Sequence, residues 1–327
     1  MKVLITGGTG SLGKALVKRL LKKGDCEIIV FSRDEGKQAL AFFRNIKRVQ
    51  CVIGDVRDVE KLQTTFRIHK PDYVIHAAAL KRIDDMEFHP DECVKTNIKG
   101  SENVAIAALS NNVKKCILVS TDKACLPVNV YGSTKFIAER LYTNFDYNSE
   151  STIFAAVRYG NVIASRGSFI PLWMEQYEKS QEITVTSMDC SRFLFTLEDA
   201  VDTVLGALDK AEGGEVFIPK ISSFSMDTIL EAIRTMVTSS GVLQTKIIGM
   251  RPGEKLHEDM LAKTELEFTY EVEGTKSDLL VVLPQYTKKK HSYDKKYEGT
   301  EFNSSLHLNN NLKKLRDLFK RGLSDAD

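Results

Sequence analysis

The sequence predicts an α/β fold with a doubly wound parallel sheet and a smaller C-terminal lobe. Three observations indicate it: short apolar runs alternate with helical patterns through the first half of the 327 residues, these runs are almost continuous, and a glycine-rich turn follows the first one. Continuous apolar strands are typical of a parallel sheet that helices cover on both faces. Ligands of such sheets lie beyond the carboxyl ends of the strands, so the residues that follow each strand are the candidates for function.

Strands and helices are predicted in alternation. The strands of the first half are Lys2–Ile5, Glu27–Phe31, Val49–Ile53, Tyr73–His76, Lys115–Val119 and Thr152–Val157. The helices between them include Gly13–Lys22, Val59–Arg67, Asp91–Ser110 and Tyr131–Tyr142. The second half is less regular, and its pattern predicts helices over Leu197–Leu208 and Met226–Thr238 and short strands over Val216–Ile218 and Lys246–Ile248.

Composition limits the classes of function. A net charge of +2, with 43% hydrophobic and 28% charged residues, fits a soluble globular protein and provides no basic field for nucleic acid. The six cysteines lie far apart without a Cys-x-x-Cys pair, so we expect reduced thiols and no metal site. The N-terminal apolar run is too short for a signal peptide, and no run approaches the roughly 20 residues of a membrane span. We expect a cytoplasmic protein.

One segment near the C-terminus is locally basic. Thr287–Lys296 carries five lysines. We expect a solvated surface loop here, and the alternative is a segment that contacts phosphate or a membrane.

The glycine-rich turn predicts a Rossmann-type dinucleotide site. Thr6-Gly7-Gly8-Thr9-Gly10-Ser11-Leu12-Gly13 follows the first strand and opens the first helix. Glycines permit a tight turn and a close approach of the backbone to a pyrophosphate, which then faces the positive end of the helix. The predicted contacts in this turn are Gly7, Thr9, Gly10, Ser11, Leu12 and Gly13.

The end of the second strand bears on the choice of cofactor. An acidic residue directly at this strand end would accept bonds from the adenosine ribose and favour NAD, but Ser32 and Arg33 come first. A hydroxyl and a guanidinium suit a 2′-phosphate, so NADP is predicted. Asp34 keeps NAD open as the alternative, and Lys37 is the last predicted contact in this segment.

More cofactor contacts are predicted after the third and fourth strands. Asp55 is placed to bond the adenine amine, and Val56 to pack on the adenine ring. Ala77, Ala78 and Ala79 follow the fourth strand, and their small side chains would let the cofactor backbone pass. The same three residues are also compatible with tight packing of a helix on the sheet.

Tyr131 and Lys135 are candidates for redox chemistry. They lie four residues apart on a predicted helix, and therefore on one face of it. The ammonium of Lys135 and a positive nicotinamide would lower the phenol pKa of Tyr131. A tyrosinate would then take a proton from a sugar hydroxyl while hydride leaves to the cofactor. Because this spacing is common by chance, the prediction depends on its position after the fifth strand.

Thr121, Asp122 and Lys123 end the fifth strand and add acid–base chemistry. Oxidation at carbon 4 of a sugar acidifies the proton on carbon 5, which a neutral Lys123 amine would abstract. A protonated Asp122 would assist departure of the carbon 6 hydroxyl, and Thr121 would bond the 4-oxygen. The alternative is a surface ion pair between Asp122 and Lys123 that caps a turn.

The order of these motifs resembles the extended short-chain dehydrogenase/reductase superfamily. Further along the chain the same pattern continues with Arg158-Tyr-Gly-Asn-Val162, Ser165-Arg-Gly-Ser-Phe-Ile-Pro171 and Arg251-Pro-Gly-Glu-Lys-Leu-His-Glu258. Within the superfamily, the chain resembles the inverting UDP-N-acetylglucosamine 4,6-dehydratases of bacterial glycan synthesis. The resemblance extends from residue 1 to about residue 260.

The resemblance implies roles for individual residues. Tyr131 and Lys135 match the redox pair, and Asp122 and Lys123 match the acid and the base. Retaining dehydratases carry Asp-Glu at the latter positions, so Lys123 implies inversion at carbon 5. The implied nucleotide-sugar contacts, whose guanidinium groups suit a pyrophosphate, are Lys81, Asn161, Arg192, Arg251 and Glu254; cofactor contacts are expected at Lys81 and Asn97.

The predicted function is that of an NADP-dependent UDP-N-acetylglucosamine 4,6-dehydratase that inverts carbon 5, on the way to pseudaminic acid or a related surface glycan. Residues 1–160 and 193–218 are expected to bind NADP, and residues 161–192 and 219–327 the nucleotide sugar. A homo-oligomer, at least a dimer, is expected. The alternatives are a partial reaction through a 5,6-ene intermediate, a 4-epimerase that needs only the redox pair, and a non-catalytic NADP-sensing or scaffold protein.

Overall fold

A computed structural model describes residues 1–163, 165, 168–180, 182–237, 243–274 and 278–324. It confirms the α/β fold with a large, mainly parallel sheet. The six strands predicted in the first half are all present, each within one residue of its expected ends. In the described ranges, no helix is both long enough and apolar enough to cross a bilayer. The predicted Ser165–Pro171 motif and the Met226–Thr238 helix each include residues outside those ranges.

The strands are β1 (Lys2–Thr6), β2 (Glu27–Ser32), β3 (Val49–Ile53), β4 (Tyr73–His76), β5 (Lys115–Val119), β6 (Ile153–Val157), β7 (Asn161–Val162), β8 (Glu182–Val185), β9 (Ser191–Phe195), β10 (Val216–Pro219), β11 (Ser223–Ser225), β12 (Gln244–Ile247), β13 (Asp259–Leu261), β14 (Thr269–Val272), β15 (Leu279–Val282) and β16 (Phe302–Asn303).

The α-helices are α1 (Ser11–Lys22), α2 (Glu35–Ala39), α3 (Val59–His69), α4 (Ile83–Phe88), α5 (Pro90–Cys93), α6 (Gly100–Ser110), α7 (Val130–Tyr147), α8 (Phe169–Ser180), α9 (Leu197–Lys210), α10 (Met226–Val237) and α11 (Leu312–Ser324). A π-helical turn covers Val94–Lys99, and 3₁₀ turns cover Asp122–Ala124 and Lys263–Phe268.

The large sheet places the candidate residues at one edge. Its nine strands run in the order β14-β15-β10-β6-β5-β4-β1-β2-β3. The strands from β3 to β10 are parallel, whereas β14 and β15 are antiparallel additions. The strand order reverses between β1 and β4, so a crevice opens there beyond the carboxyl ends, where ligands of this fold bind.

Two apolar cores cover the two faces of this sheet. Val3 and Ile5 of β1 belong to one core, together with Leu16 of α1 and Val201 of α9. The residue between them, Leu4, belongs to the opposite core, with Phe66 of α3 and Val104 of α6. Alternate side chains of one strand thus enter different cores, as the period of a β-strand requires. This explains why the strands are apolar throughout.

A third core belongs to the C-terminal lobe. It joins Trp173 of α8, Ile233 of α10 and Phe319 of α11. Two smaller sheets, β11-β9-β7 and β12-β8, lie in this part of the chain. The strands β14 and β15 also fall within residues 219–327, yet they extend the large sheet through β10. The chain from the lobe therefore returns to the sheet before it ends.

The helical pattern predicted over Asp91–Ser110 is present as an unbroken helical run. Its middle part, Val94–Lys99, is π-helical and lies between α5 and α6, which the sequence pattern did not predict. The reason lies in the fully buried Asn97, whose amide bonds the backbone oxygen and nitrogen of Leu80 at 2.9 Å each. The hydroxyl of Ser101 also donates to the Asn97 carbonyl at 2.5 Å. Side-chain bonds of this kind compete with the regular helical ladder, and apolar periodicity does not reveal them.

The basic segment Thr287–Lys296 is only partly the solvated loop that was expected. Lys289 Nζ lies 2.7 Å from an oxygen of the buried Asp146 carboxylate. His291 Nε2 lies 2.8 Å from the backbone oxygen of Gly213. Asp146 lies at the end of a buried face of α7, where an unpaired carboxylate would be costly. Lys289, far along the chain, provides the positive partner. The prediction holds for exposed residues such as Lys290.

A buried arginine joins the sheet to a segment of the lobe. Arg158 is 1% exposed and follows β6. Its guanidinium contacts Glu139 of α7 at 2.7 Å and Glu265 of the second 3₁₀ turn at 2.9 Å. Ser120 donates to the same Glu139 carboxylate at 2.5 Å. Such a buried cluster is stable only while every charge keeps its partner.

Replacement of Arg158 should therefore destabilise the fold strongly. Arg158→Ala leaves two buried carboxylates without their cation, and we expect a loss of about 3–5 kcal/mol in the free energy of unfolding. Lys179→Ala is the matched control, because its ion pair with Glu175 is largely exposed and should contribute less than about 1 kcal/mol. Urea denaturation of the two variants measures both values. Equal losses would contradict the central position given to Arg158.

Candidate active site

A cleft of about 880 Å³ lies beyond the carboxyl ends of the parallel strands and continues to the lobe. It brings together all but one of the residues that the sequence predicted for cofactor, substrate and catalysis. The exception is Asn97, which lies behind the cleft. Through its two bonds to Leu80 it holds the chain between Ala79 and Lys81, both of which line the cleft.

The glycine-rich turn forms one end of the cleft. Gly7 has a φ of +70°, and a Cβ there would lie 2.9 Å from the Cα of Ala78. A Cβ on Gly13 would lie 2.4 Å from the Cα of Gly8. Glycine is thus required for the turn to pack against the end of β4. Gly10 leaves the N-terminus of α1 without a side-chain cap, so this helix end fits a pyrophosphate group.

Charged side chains surround the end of β2, where an adenosine ribose would lie. Asp34 caps α2 by accepting from the Lys37 backbone at 2.9 Å, and it also pairs with the Lys37 ammonium at 2.6 Å. The side chain of Arg33 is 55% exposed and lies 3.7 Å from Asp55. The Asp34 carboxylate is therefore engaged by its own helix, while the Arg33 guanidinium remains accessible at the cleft.

His76 at the end of β4 is a packed residue. Its Nδ1 lies 2.7 Å from the Thr6 hydroxyl, and its Nε2 lies 3.0 Å from the Ser101 hydroxyl. Complete burial, with a smaller contribution from the charge of Lys135, lowers the pKa of His76 to about 3. The ring is therefore neutral and links β1, β4 and α6 below the cleft.

A close approach between α7 and the turn after β5 builds the part of the cleft that holds the candidate catalytic residues. Thr121 caps the 3₁₀ turn, and Asn129 caps α7 by accepting from Gly132 at 2.6 Å. A Cβ on Gly132 would lie 2.1 Å from the backbone oxygen of Lys123. Only glycine allows α7 to lie so close to this turn. Tyr131, the residue before Gly132, is thereby placed at the same part of the cleft as Lys123.

The redox pair lies largely out of water. Lys135 is 2% exposed, and burial lowers its pKa to about 8, although the nearby Glu139 carboxylate opposes this shift. Burial raises the pKa of Tyr131 to about 12, while the positive charge of Lys123 and a hydrogen bond with Thr121 act in the opposite direction. The sequence predicted that Lys135 and the nicotinamide would lower the pKa of Tyr131. In the structure the groups that lower it are Lys123 and Thr121, in the turn after β5.

Lys123 lies between two carboxylates. Its Nζ is 3.0 Å from Asp122 Oδ1 and 3.2 Å from Glu258 Oε1. The side chains of Lys123, Asp122 and Glu258 are 13%, 1% and 3% exposed. The alternative of a surface ion pair is therefore wrong, because the pair is buried and lines the cleft.

The charge states within this cluster follow from burial and mutual attraction. Burial works against the cation of Lys123, but Asp122 and Glu258 outweigh it and raise its pKa. Burial also raises the pKa of Asp122, and Glu258 adds to this while Lys123 opposes it. Glu258 keeps a lowered pKa because Lys123 and Arg192 outweigh the effect of its burial. Lys123 is thus held as a cation, unlike the neutral amine expected from the sequence.

The lobe supplies the remaining predicted residues. Arg192 donates to Glu254 at 2.9 Å and to the backbone oxygen of Leu256 at 2.8 Å. Arg251 is exposed at the mouth of the cleft. The side-chain oxygen of Asn161 is buried without a hydrogen-bond partner among the described residues. These groups provide two guanidinium ions, a carboxylate and an amide beside the catalytic cluster.

Sequence reasoning missed two residues of the site. Gly132 was passed over between Tyr131 and Lys135, although a glycine within the first turn of a helix is a signal of close packing. Glu258 was given no role, although it is the acidic end of the Arg251–Glu258 motif. Its contact with Lys123 joins residues far apart in the chain, and a single sequence carries no direct signal of such a pair.

Comparisons with known proteins agree with this architecture. The chain matches the family described as polysaccharide biosynthesis protein over residues 3–277. It is 45% identical over 277 residues to the UDP-N-acetylglucosamine 4,6-dehydratase (inverting) of Campylobacter jejuni subsp. jejuni serotype O:2, covering 83% of this chain and 80% of that protein. It is 40% identical over 273 residues to the UDP-glucose 4-epimerase of Rickettsia massiliae, covering 81% and 78%.

Among solved structures, Pen from Bacillus thuringiensis is similar over nearly the whole chain. The TM-score is 0.89 at 34% identity, and the match covers 98% of this chain and 97% of Pen. Likeness of this extent in sequence and in three dimensions shows that the chain belongs to the polysaccharide biosynthesis protein family.

Proposed function

We propose that this protein is an inverting UDP-N-acetylglucosamine 4,6-dehydratase, which oxidises carbon 4, removes water across carbons 5 and 6, and inverts carbon 5. The observation that carries the proposal is the meeting of two reactive pairs in one cleft. Tyr131 and Lys135 suit the redox step, and the buried Asp122 and Lys123 suit the elimination. The inverting dehydratase of Campylobacter jejuni, at 45% identity, supports the same reaction.

The redox pair handles the proton of the 4-hydroxyl. A nicotinamide held at the glycine-rich end of the cleft would supply the hydride acceptor for carbon 4 and the hydride donor for carbon 6. Tyr131 accepts the hydroxyl proton as its phenolate, a role that requires its raised pKa to fall on ligand binding. Lys135, whose pKa is about 8 before ligands bind, lies one helical turn from Tyr131 and supplies positive charge to this part of the site.

The elimination uses the turn after β5. With a carbonyl at carbon 4, the carbon 5 proton is acidic, and the neutral amine of Lys123 takes it. Asp122 gives a proton to the departing carbon 6 oxygen, and burial already favours its protonated form. Thr121 donates to Asp122 Oδ1 at 2.9 Å, which leaves Oδ2 without a partner among the described residues and able to carry that proton.

The lobe is proposed to bind the UDP group. Guanidinium forks suit a pyrophosphate, and Arg192 and Arg251 line the cleft on this side. Glu254 would accept from the ribose hydroxyls while it holds Arg192 at 2.9 Å. Lys81 and Asn161, which also line the cleft, are the proposed contacts nearest to the sugar.

NADP is the proposed cofactor. The exposed Arg33 guanidinium at the cleft suits a 2′-phosphate, and Ser32 lies beside it at the end of β2. In NAD enzymes of this fold a free acidic residue binds the ribose diol. Asp34 is engaged by the N-terminus of α2 and by Lys37, which argues against that arrangement here.

A 4-epimerase is the second candidate function, favoured by the 40% identity to an enzyme named UDP-glucose 4-epimerase. Epimerisation would use Tyr131 and Lys135 and leave Asp122 and Lys123 without a role. The proposal also places the protein in the cytoplasm as a homo-oligomer, and its product in the synthesis of pseudaminic acid or a related surface glycan. The family description supports a role in glycan synthesis.

The reaction itself can be tested with UDP-N-acetylglucosamine in deuterated water. We expect a product that has lost one water, carries deuterium at carbon 5 and has an inverted ring, as read by mass spectrometry and NMR. Lys123→Ala should abolish this product but leave cofactor binding intact, because the dinucleotide end of the cleft is unchanged, and Lys179→Ala should behave as wild type. A product of unchanged mass with a new configuration at carbon 4 would favour the epimerase instead.

Cofactor choice depends on Arg33. Arg33→Ala should weaken NADP binding by about 10- to 100-fold, because a hydrogen bond to a charged group contributes about 1.5–3 kcal/mol, and it should leave NAD binding nearly unchanged. Arg44→Ala, at an exposed position outside the residues that line the cleft, is the control. Dissociation constants for both dinucleotides decide the matter, and equal weakening of the two would contradict a 2′-phosphate contact.

Lys135 should reduce stability in the ligand-free protein. Its folded pKa of about 8 lies below its ordinary value of 10.5, so the unfolded chain binds more protons between these values and stability rises with pH there. Lys135→Met should therefore be more stable than wild type at pH 7, by about 1–3 kcal/mol, and inactive. The difference should shrink as pH passes from about 8 to 10.5. A constant difference in thermal unfolding across this range would contradict the assignment.

A further inference from the structure

Lys123 poses a problem that the proposed reaction must solve. A base that removes the carbon 5 proton needs a neutral amine, yet the cleft holds this amine as a cation between two carboxylates. The proton on Nζ must therefore leave before the elimination. Asp122 and Glu258, at 3.0 and 3.2 Å, are the acidic groups in contact with it.

Asp122 is unsuited to receive this proton. In the elimination it must already carry a proton of its own for the carbon 6 oxygen. Its Oδ1 accepts from the Thr121 hydroxyl at 2.9 Å as well as from Lys123. A carboxyl group that already carries its proton cannot accept another from Lys123, so Glu258, the remaining contact of Lys123, is the candidate.

Glu258 is built as a fixed acceptor. Its residue exposure is 2%, and its backbone is held on both sides by Ser304, whose hydroxyl accepts from the Glu258 nitrogen and whose nitrogen donates to the Glu258 oxygen, each at 2.8 Å. Oε1 faces Lys123, and Oε2 is buried without a partner among the described residues. A carboxylate in this position has capacity for one proton and little freedom to move away.

We propose that Glu258 accepts the proton of Lys123 and thereby produces the neutral amine that serves as the base. The N–H bond of Nζ breaks and an O–H bond forms on the carboxylate, so a cation and an anion become a neutral amine and a carboxylic acid. The net charge of the pair is unchanged by the transfer. The inference rests on the proposed function.

Nucleotide-sugar binding would promote this transfer. Arg192 is one of the positive groups that keep Glu258 ionised, together with Lys123 and Lys255. Arg192 is also a proposed phosphate contact, and a bound pyrophosphate would offset its charge. Glu258 would then gain affinity for a proton, so that the base becomes neutral only when substrate is present. Asp122 interacts with both Lys123 and Glu258, Tyr131 responds to the charges of Lys123 and Asp122, and Glu254 adds to the negative charge around Arg192.

The test is the pH profile of water loss from UDP-N-acetylglucosamine in a single turnover. In the wild type the Lys123 proton moves to Glu258 within the site. The rate of water loss should therefore be nearly independent of pH between about 6 and 9. In Glu258→Gln the proton must go to solvent. We expect a rate at pH 7 that is about 10²- to 10³-fold lower, within the range of general acid–base contributions, and that rises up to tenfold per pH unit.

Two further measurements separate this role from a structural one. Glu258→Asp keeps the carboxylate and should retain the flat profile at a reduced rate. Hydride transfer to the cofactor, followed by its absorbance, should be nearly unchanged in Glu258→Gln, because Tyr131 and Lys135 carry that step. A Gln variant slowed equally at every pH, or an Asp variant with the same sloping profile, would overturn the inference. If the wild-type protein itself releases no water from UDP-N-acetylglucosamine, the proposed function is overturned too. This outcome is distinguished from a failure of the Glu258 inference because it needs no variant.

Discussion

The free-energy cost of burying charge is the constraint on which this structure depends. Three cations lie largely out of water, and each contacts a carboxylate from one short segment of the lobe, residues 254–265. The pairs are Arg192 with Glu254, Lys123 with Glu258 and Arg158 with Glu265. Because Lys123 and Arg158 follow strands of the large sheet and their partners Glu258 and Glu265 belong to the lobe, the contact between lobe and sheet sets the charges of this region. Stability and chemistry therefore rest on the same contacts.

The same constraint gives two buried lysines opposite properties. Lys135 is affected by one carboxylate, Glu139, which is already shared with Arg158 and Ser120, and burial prevails and lowers its pKa. Lys123 contacts two carboxylates and its pKa rises instead. Both side chains are buried primary amines, so their opposite pKa shifts result from the number and closeness of their acidic partners. Two buried amines with opposite pKa shifts can thus line one cleft, as the proposed redox and acid–base roles require.

Much of this arrangement could be predicted from the sequence because it is local. The apolar strands, the glycine-rich turn and the residues at the strand ends were placed correctly, since each depends on a few neighbouring residues. The π-helical turn at Val94–Lys99 was missed because a side chain, Asn97, bonds the distant Leu80. Glu258 and the cationic state of Lys123 were missed for the same reason. The contacts that set the charge of the site join segments that only the folded chain brings together.

This distinction matters for function, because the fold and the redox pair suit both dehydratases and epimerases. A buried cluster of Asp122, Lys123 and Glu258 is an expensive feature: apolar residues of similar volume often replace such clusters without loss of stability. In the interior of a core it would need a structural explanation. Here it lines the cleft beside Tyr131 and has carboxylate oxygens without partners among the described residues. Charge kept at such a cost, facing the substrate, is explained best by a reaction that moves protons at carbons 5 and 6.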